Sequence, residues 1–118
     1  MAKAVGIGGV FLKARDPKAL GAWYAAHLGI PQGGIFEGPE SVGTSVLTHF
    51  PADTKHFGDG PQQVMVNFRV DDLDGLLTQL EVAGVRIDPK REGGEYGKFA
   101  WIWDPEGNRV ELWQPAAE

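Results

Sequence analysis

One stretch near the C-terminus decides the fold: WDPEGNRVELW, at residues 103–113. Asp-Pro opens a tight turn, Gly-Asn closes it, and the residues that follow alternate in polarity as a strand does. In that strand Val110 and Leu112 point to one face, while Glu111 and Trp113 point to the other. A sheet core alone would not select a carboxylate between apolar neighbours. Glu111 is therefore the residue that raises the question of function.

Composition limits the class of protein. The chain has 118 residues, no cysteine and a formal net charge of -5, and that length fits one compact domain. The absence of cysteine excludes disulfides, thiolate catalysis and Cys-ligated metal sites. Basic residues are scattered, and no segment resembles a signal peptide or a membrane span. We expect a cytoplasmic protein that binds neither nucleic acid nor membranes.

The chain repeats one pattern of elements. A strand at residues 5–14 precedes a helix that begins after Asp16 and ends at Gly29, and a strand at residues 63–70 precedes a helix that begins after Asp72 and ends at Gly84. Further strands are predicted at residues 30–36 and 44–50, and then at 85–90, 98–103 and 109–114. The sequence thus predicts one α+β domain of two βαβββ modules, residues 1–51 and 63–115, joined by a connector at 51–62. The strand count of the first module stays open.

The repeat allows the two halves to be compared position by position. If the helices lie outside one curved mixed sheet, the side chains on its other face line a shared groove. The residues expected to face this groove are Gly9, Phe11, Lys13, Leu47, His49, Met65, Asn67, Arg69, Arg109, Glu111 and Trp113. Of these, the candidate ligand-binding residues are Phe11, Leu47, His49, Met65, Asn67, Arg69, Glu111 and Trp113.

Several motifs together resemble the vicinal oxygen chelate superfamily, which includes glyoxalase I, extradiol dioxygenases and bleomycin-resistance proteins. They are the repeated module itself, the first helix with Asp16-Pro17, Trp23-Tyr24 and Leu28-Gly29, the strand end FRVDD at 68–72, and the hairpin DPEGNRVEL at 104–112. The resemblance covers nearly the whole chain. It implies paired βαβββ modules around a U-shaped cavity, often completed by a homodimer, and a small-molecule ligand.

The resemblance also implies where a metal would bind. In the metalloenzymes of the group, ligands come from the first and last strands of each module, which here places them at Gly9, Leu47, Met65 and Glu111. Only Glu111 offers a donor to a hard or borderline divalent metal, since glycine and leucine have none and methionine is a soft thioether. We expect no metal or other cofactor. If a relocated site exists, it would use Glu111 with His49.

Two roles for Glu111 remain open and are compatible. It could form an ion pair with Arg69 or Lys13 that closes the groove, or it could contact a ligand. A role as catalytic base is disfavoured, because a paired arginine stabilises the ionised, weakly basic carboxylate. The sequence does not decide whether any reaction is catalysed.

Two further features bear on the site. Trp101 and Trp103 share one strand face with Phe99. Together with Trp113 they suit a planar or aromatic organic ligand, including a cationic one, although they would also suit a sheet core or a dimer interface. His56 lies in the glycine-rich connector, which we interpret as a bridge between modules rather than a lid.

Three functions follow from these features. The first is a glyoxalase- or bleomycin-resistance-like protein that binds a small organic molecule in its groove without the usual divalent metal. The second is a metal-dependent glyoxalase-like lyase or isomerase with a rearranged metal site. The third is an interaction or structural module whose groove is closed.

Overall fold

The computed structural model describes residues 10, 12–31, 33–39, 43 and 48–116. The chain forms two compact units, Met1–Thr54 and Lys55–Glu118. No helix among the described residues is long and apolar enough to span a membrane.

The first unit contains helix α1, Pro17–Leu28. The Asp16 side chain accepts a hydrogen bond from the backbone N–H of Ala19, at 3.0 Å, and Pro17 occupies the first turn, where its missing N–H costs no hydrogen bond. At the other end Gly29 adopts the left-handed conformation, with φ of 67°, that closes many helices. The predicted helix and both of its ends are confirmed.

The prediction of a strand at residues 30–36 is wrong for the part of this range that the structure describes, residues 30–31 and 33–36. Gly33 and Gly34 have φ values of 85° and 76°, and the Gly34 N–H donates to the Pro31 carbonyl, so the chain turns here. Positive φ in two successive glycines is incompatible with an extended strand. Most of the predicted strands at 5–14 and 44–50 lies outside the described residues, and the described parts of both are not strand.

The second unit has the predicted βαβββ order. Its elements are β1 Asn67–Arg69, α2 Leu73–Val82, β2 Ile87–Gly94, β3 Gly97–Trp103 and β4 Arg109–Pro115. The sheet order is β1-β4-β3-β2, with β1 parallel to β4 and the other neighbours antiparallel. The fold is therefore α+β with a mixed sheet, as the sequence predicts, although β1 is shorter than the predicted strand at 63–70.

Helix α2 covers one face of this sheet. Its N-terminus is capped by the Asp72 side chain, which accepts from Gly75, and its first N–H, on Leu73, is bound by the Gln114 side chain of β4. Leu73, Leu77 and Leu80 turn inward at helical spacing. They belong to the same core as four sheet residues that are at most 1% exposed: Ala100, Ile102, Val110 and Leu112.

The β3–β4 turn is built by one aspartate. The buried Asp104 carboxylate accepts hydrogen bonds from the backbone N–H groups of Glu106 and Asn108 and from the Asn108 side chain, at 2.8–3.0 Å. Gly107, with φ of 84°, provides the positive φ that the turn needs. The turn thus sets the register in which Glu111 lies opposite Trp101.

The core of the second unit can be tested at Leu112. Leu112→Ala removes a fully buried side chain, so we expect the free energy of unfolding to fall by about 2–5 kcal/mol. Val82→Ala, at a side chain 86% exposed, is the matched control and should change it by less than about 0.5 kcal/mol. Urea unfolding measures both; equal effects would contradict the assignment of the core.

Candidate functional site

The sheet face opposite α2 gathers the chemically distinctive side chains of the second unit. Strand pairing places Phe99 beside Trp113, Trp101 beside Glu111, and Trp103 beside Arg109. Side chains of directly paired residues lie on the same face. On the other side of β4, Asn67 pairs with Glu111 and Arg69 with Trp113. We call this surface, with all eight residues, the aromatic face.

Cations are interleaved with the indole rings along the aromatic face. The Arg86 guanidinium lies 3.7 Å from the centre of the Trp103 ring, and that of Arg109 lies 5.2 Å from the centres of both Trp101 and Trp103. The Lys90 ammonium is 5.2 Å from the Trp101 ring. Each arrangement is a cation–π contact, which holds the long basic side chains along the rings.

Glu111 is paired with a histidine from the connector. His56 Nε2 lies 3.2 Å from Glu111 Oε2, and both side chains are largely buried, at 22% and 11% exposure. When Glu111 is ionised its carboxylate only accepts hydrogen bonds, and His56 Nε2 is then the donor of this pair. The His56 ring also meets Trp101 edge-on, with ring centres 5.7 Å apart. A buried carboxylate requires such a partner, and its partner here comes from outside the sheet.

Arg109 is a buried cation whose partner is Asp88. The residue is 6% exposed, and its guanidinium donates to Asp88 Oδ2 at 2.7 Å. The pKa of Asp88 lies below its ordinary value because the carboxylate accepts from the Lys90 backbone N–H and also from Arg109. Asp88 is therefore held in the charged form that Arg109 requires.

The connector is fastened to β4 through the same arginine. The Gln62 side chain accepts from the Arg109 backbone N–H at 2.7 Å and donates to the Arg109 carbonyl at 3.1 Å, and Arg109 Nε donates to the His56 carbonyl at 3.0 Å. Gly58 has φ of 84°, and a Cβ there would lie 3.1 Å from Arg109 Cδ. Residues 56–62 therefore lie against the sheet of the second unit, and their backbone carries His56 to Glu111.

The structure brings together four of the eight predicted ligand-binding residues. Asn67, Arg69, Glu111 and Trp113 lie on the aromatic face; Asn67 and Arg69 are exposed, Trp113 is half-buried, and Glu111 is buried. Met65 is half-buried and precedes β1. His49 is exposed in the first unit. Phe11 and Leu47, like Gly9, lie outside the described residues.

The predicted ion pair between Glu111 and Arg69 is wrong. Arg69 lies opposite Trp113 rather than Glu111, and the carboxylate pairs with His56. The glycine-rich pattern around His56 predicts a bridge between modules, and no pattern in the sequence marks Asp88 or Gln62 as site residues. A histidine and a phenylalanine in a glycine-rich connector are the only local signal for this contact, and no periodic pattern reveals which strand a loop residue meets.

Two of the positions that the family resemblance implies as metal ligands, Met65 and Glu111, lie among the described residues. Met65 is a thioether, and Glu111 is already hydrogen-bonded to His56. Within the described part of the chain no group of three or more His, Asp or Glu side chains is placed to hold an ion. A catalytic zinc site keeps three protein ligands, so the two donors Glu111 and His56 fall short.

The family is decided by comparison with known sequences. Residues 6–112 match the model of the Glyoxalase/Bleomycin resistance protein/Dioxygenase superfamily. The chain belongs to this superfamily. The match spans both units, and no curated protein sequence matches the chain.

Solved structures of the superfamily fold are similar to this one. TioX from Micromonospora sp. ML1 is 19% identical over 91% of this chain and 94% of its own, with a TM-score of 0.54. The trypanothione-dependent glyoxalase I of Leishmania major is 20% identical over 84% of this chain and 78% of its own, with a TM-score of 0.50. A protein from the mobile metagenome of V. Pseudocholerae is 19% identical over 98% and 100%, with a TM-score of 0.55. At these identities the likeness concerns the fold alone.

The Asp88–Arg109 pair should make stability depend on pH. Because the pKa of Asp88 is lowered on folding, its ionised form stabilises the protein fully above about pH 4, and this contribution disappears as the pH falls through the lower folded pKa. Asp88→Asn should therefore lower the free energy of unfolding by about 1–3 kcal/mol at neutral pH, with a smaller difference from wild type below about pH 4.

The matched control for this change is Asp74→Asn. Asp74 pairs with Lys98 at 3.1 Å, but both side chains are more than half exposed. Asp74→Asn should therefore lower the free energy of unfolding by less than about 1 kcal/mol. Urea unfolding at neutral and acidic pH measures both variants. A difference between wild type and Asp88→Asn that stays constant with pH would contradict the assignment.

Proposed function

We propose that the chain binds a small planar organic molecule on the aromatic face, without a divalent metal. The observation that carries the proposal is the Glu111–His56 pair beside Trp101. At the position where related metalloenzymes have a metal ligand, this chain has a carboxylate whose partner is an imidazole. The site then offers aromatic rings and paired polar groups, which suit an organic ligand.

Aromatic side chains provide the surface for such a ligand. Phe99 and Trp113 are parallel within 8°, with ring centres 6.2 Å apart, and both are half-buried. The Trp113 indole is held in place because its Nε1 donates to the Tyr96 carbonyl at 2.7 Å. Rigid, partly exposed rings bury a large apolar area on a flat ligand with little loss of conformational entropy.

Polar side chains border this surface and would orient the ligand. Asn67 and Arg69 are exposed on the neighbouring strand, opposite Glu111 and Trp113. An amide and a guanidinium at the rim of an aromatic surface are the few polar groups that give a mostly apolar site its specificity. The sequence also predicts Phe11, Leu47, Met65 and His49 as ligand-binding residues. The protein is further proposed to act as a cytoplasmic homodimer.

The second candidate is a metal-dependent glyoxalase-like lyase or isomerase. Membership of the superfamily and the similar fold of a glyoxalase I favour it. The donor set speaks against it, because Glu111 already has a hydrogen-bond partner and the described residues contain no group of three His, Asp or Glu side chains placed to hold an ion. Ligand binding without metal therefore remains the proposed function.

Ligand binding can be tested at Phe99. In a thermal-shift screen of flat aromatic compounds we expect stabilisation of the wild type, and Phe99→Leu should weaken binding of the best compound about tenfold by removing one ring of the stack. Phe36→Leu, at an exposed phenylalanine that is not among the predicted ligand-binding residues, is the matched control and should leave affinity unchanged. A screen in which no compound stabilises the wild type would contradict the proposal.

Metal content separates the two candidate functions. We expect purified protein to contain far less than one nickel, zinc or iron ion per chain, and a chelator to leave its melting temperature and its affinity for the aromatic compound unchanged. Elemental analysis and calorimetry measure this. Stoichiometric metal that is lost in Glu111→Ala would establish the metal-dependent alternative instead.

A further inference from the structure

The indole N–H of Trp101 has no acceptor. Trp101 is fully buried in the centre of the sheet, and its Nε1 is the one buried side-chain nitrogen or oxygen of the described residues without a hydrogen-bond partner. Buried polar groups nearly always have a partner, since an unsatisfied one has lost its hydrogen bonds to water. This donor belongs to the residue paired directly with Glu111, so it lies within the proposed site.

The charges around Trp101 are already compensated. Glu111 is bonded to His56, Arg109 to Asp88, and Lys90 lies 3.3 Å from Glu92. Because these charges are already paired, no uncompensated cation is left to attract an anionic group, while a cationic group cannot accept the indole hydrogen. An uncharged acceptor, such as a carbonyl oxygen, satisfies Trp101 without disturbing this balance.

The spacing of the sheet places this donor next to the stacked rings. The Trp101–Glu111 pair follows the Phe99–Trp113 pair by two residues on the same face, a distance of about 7 Å along the strands. A substituent on a fused aromatic ring packed against Phe99 and Trp113 would therefore be within reach of the Trp101 position. Ring and carbonyl then bind to neighbouring positions of one surface.

We propose that the ligand is an aromatic compound with an uncharged carbonyl group, whose oxygen accepts the Trp101 indole hydrogen beside the Glu111–His56 pair. The inference rests on the proposed function and adds the chemical class of the ligand. Trp101 is 0% exposed, so the carbonyl reaches its indole N–H only when a covering side chain moves aside, and His56, at 22% exposure, is the more accessible member of the neighbouring pair. Trp101 thereby determines specificity, while Phe99 and Trp113 provide apolar contact.

The test compares two ligands of the same shape. 2-Acetylnaphthalene carries a ketone, and 2-isopropenylnaphthalene has a CH₂ group in place of the ketone oxygen. We expect the wild type to bind the ketone about tenfold more tightly, the value of one hydrogen bond. Trp101→Phe keeps an aromatic ring but removes the donor, so it should bind the two compounds equally. Trp23→Phe, the same change in α1, should keep the wild-type preference.

A spectroscopic measurement on the wild type gives the same answer without relying on the folding of a variant. The four tryptophans each contribute one indole N–H signal to a ¹⁵N–¹H spectrum. The ketone should move one of them downfield, as a new hydrogen bond does, and the hydrocarbon should not. If the shifted signal is missing from the spectrum of folded Trp101→Phe, that signal belongs to Trp101.

The outcomes distinguish this inference from the function on which it rests. Equal affinity of the wild type for both compounds, or a ketone preference that survives in Trp101→Phe, overturns the inference and leaves binding of aromatic ligands standing. Tighter binding of the anion 2-naphthoate than of the ketone would contradict the proposal that the ligand's carbonyl group is uncharged. If no naphthalene compound binds at all, both proposals fail.

Discussion

The second unit depends on the buried guanidinium of Arg109. A cation that is 6% exposed must have all its donors near acceptors, because desolvation without compensation is costly. Its acceptors come from two places in the chain: the Asp88 carboxylate of β2 and the His56 carbonyl of the connector. The hydrogen bonds of this one side chain thus join two distant segments to the first residue of β4.

The position of the candidate site follows from that requirement. Once Arg109 and Gln62 hold the connector on β4, the imidazole of His56 reaches Glu111 and the edge of Trp101. The carboxylate that suggested a metal ligand is hydrogen-bonded to an imidazole instead. The proposal of an organic ligand rests on this pair and on the indole N–H of Trp101, which alone remains unsatisfied among the buried side-chain donors and acceptors described.

Sequence reasoning succeeded where the signal was local or periodic. Asp16 and Asp72 cap helices because their side chains bond N–H groups three residues further on, and those helices form as predicted. The turn after Trp103 likewise depends on Asp104 and its nearest neighbours. The prediction from sequence was wrong at residues 30–36, where consecutive glycines turn the chain. It also named the wrong partner for Glu111. The two-residue alternation of strands predicts which strand residues share a face. It gives no information about a loop residue, such as His56, that packs against that face.

By itself, the sequence determined the α+β class, the superfamily, both helices and the face of β4 on which Glu111 and Trp113 lie. These depend on turn chemistry, capping and the two-residue period of a strand, all of which act over a few residues. Only the tertiary structure decided that His56 is the partner of Glu111, that Asp88 neutralises Arg109 and that Trp101 lacks an acceptor. The first two are contacts between residues 55 and 21 positions apart, and the third is the absence of any such contact near a buried donor. Only the path of the folded chain brings such residues together, and no local pattern encodes it.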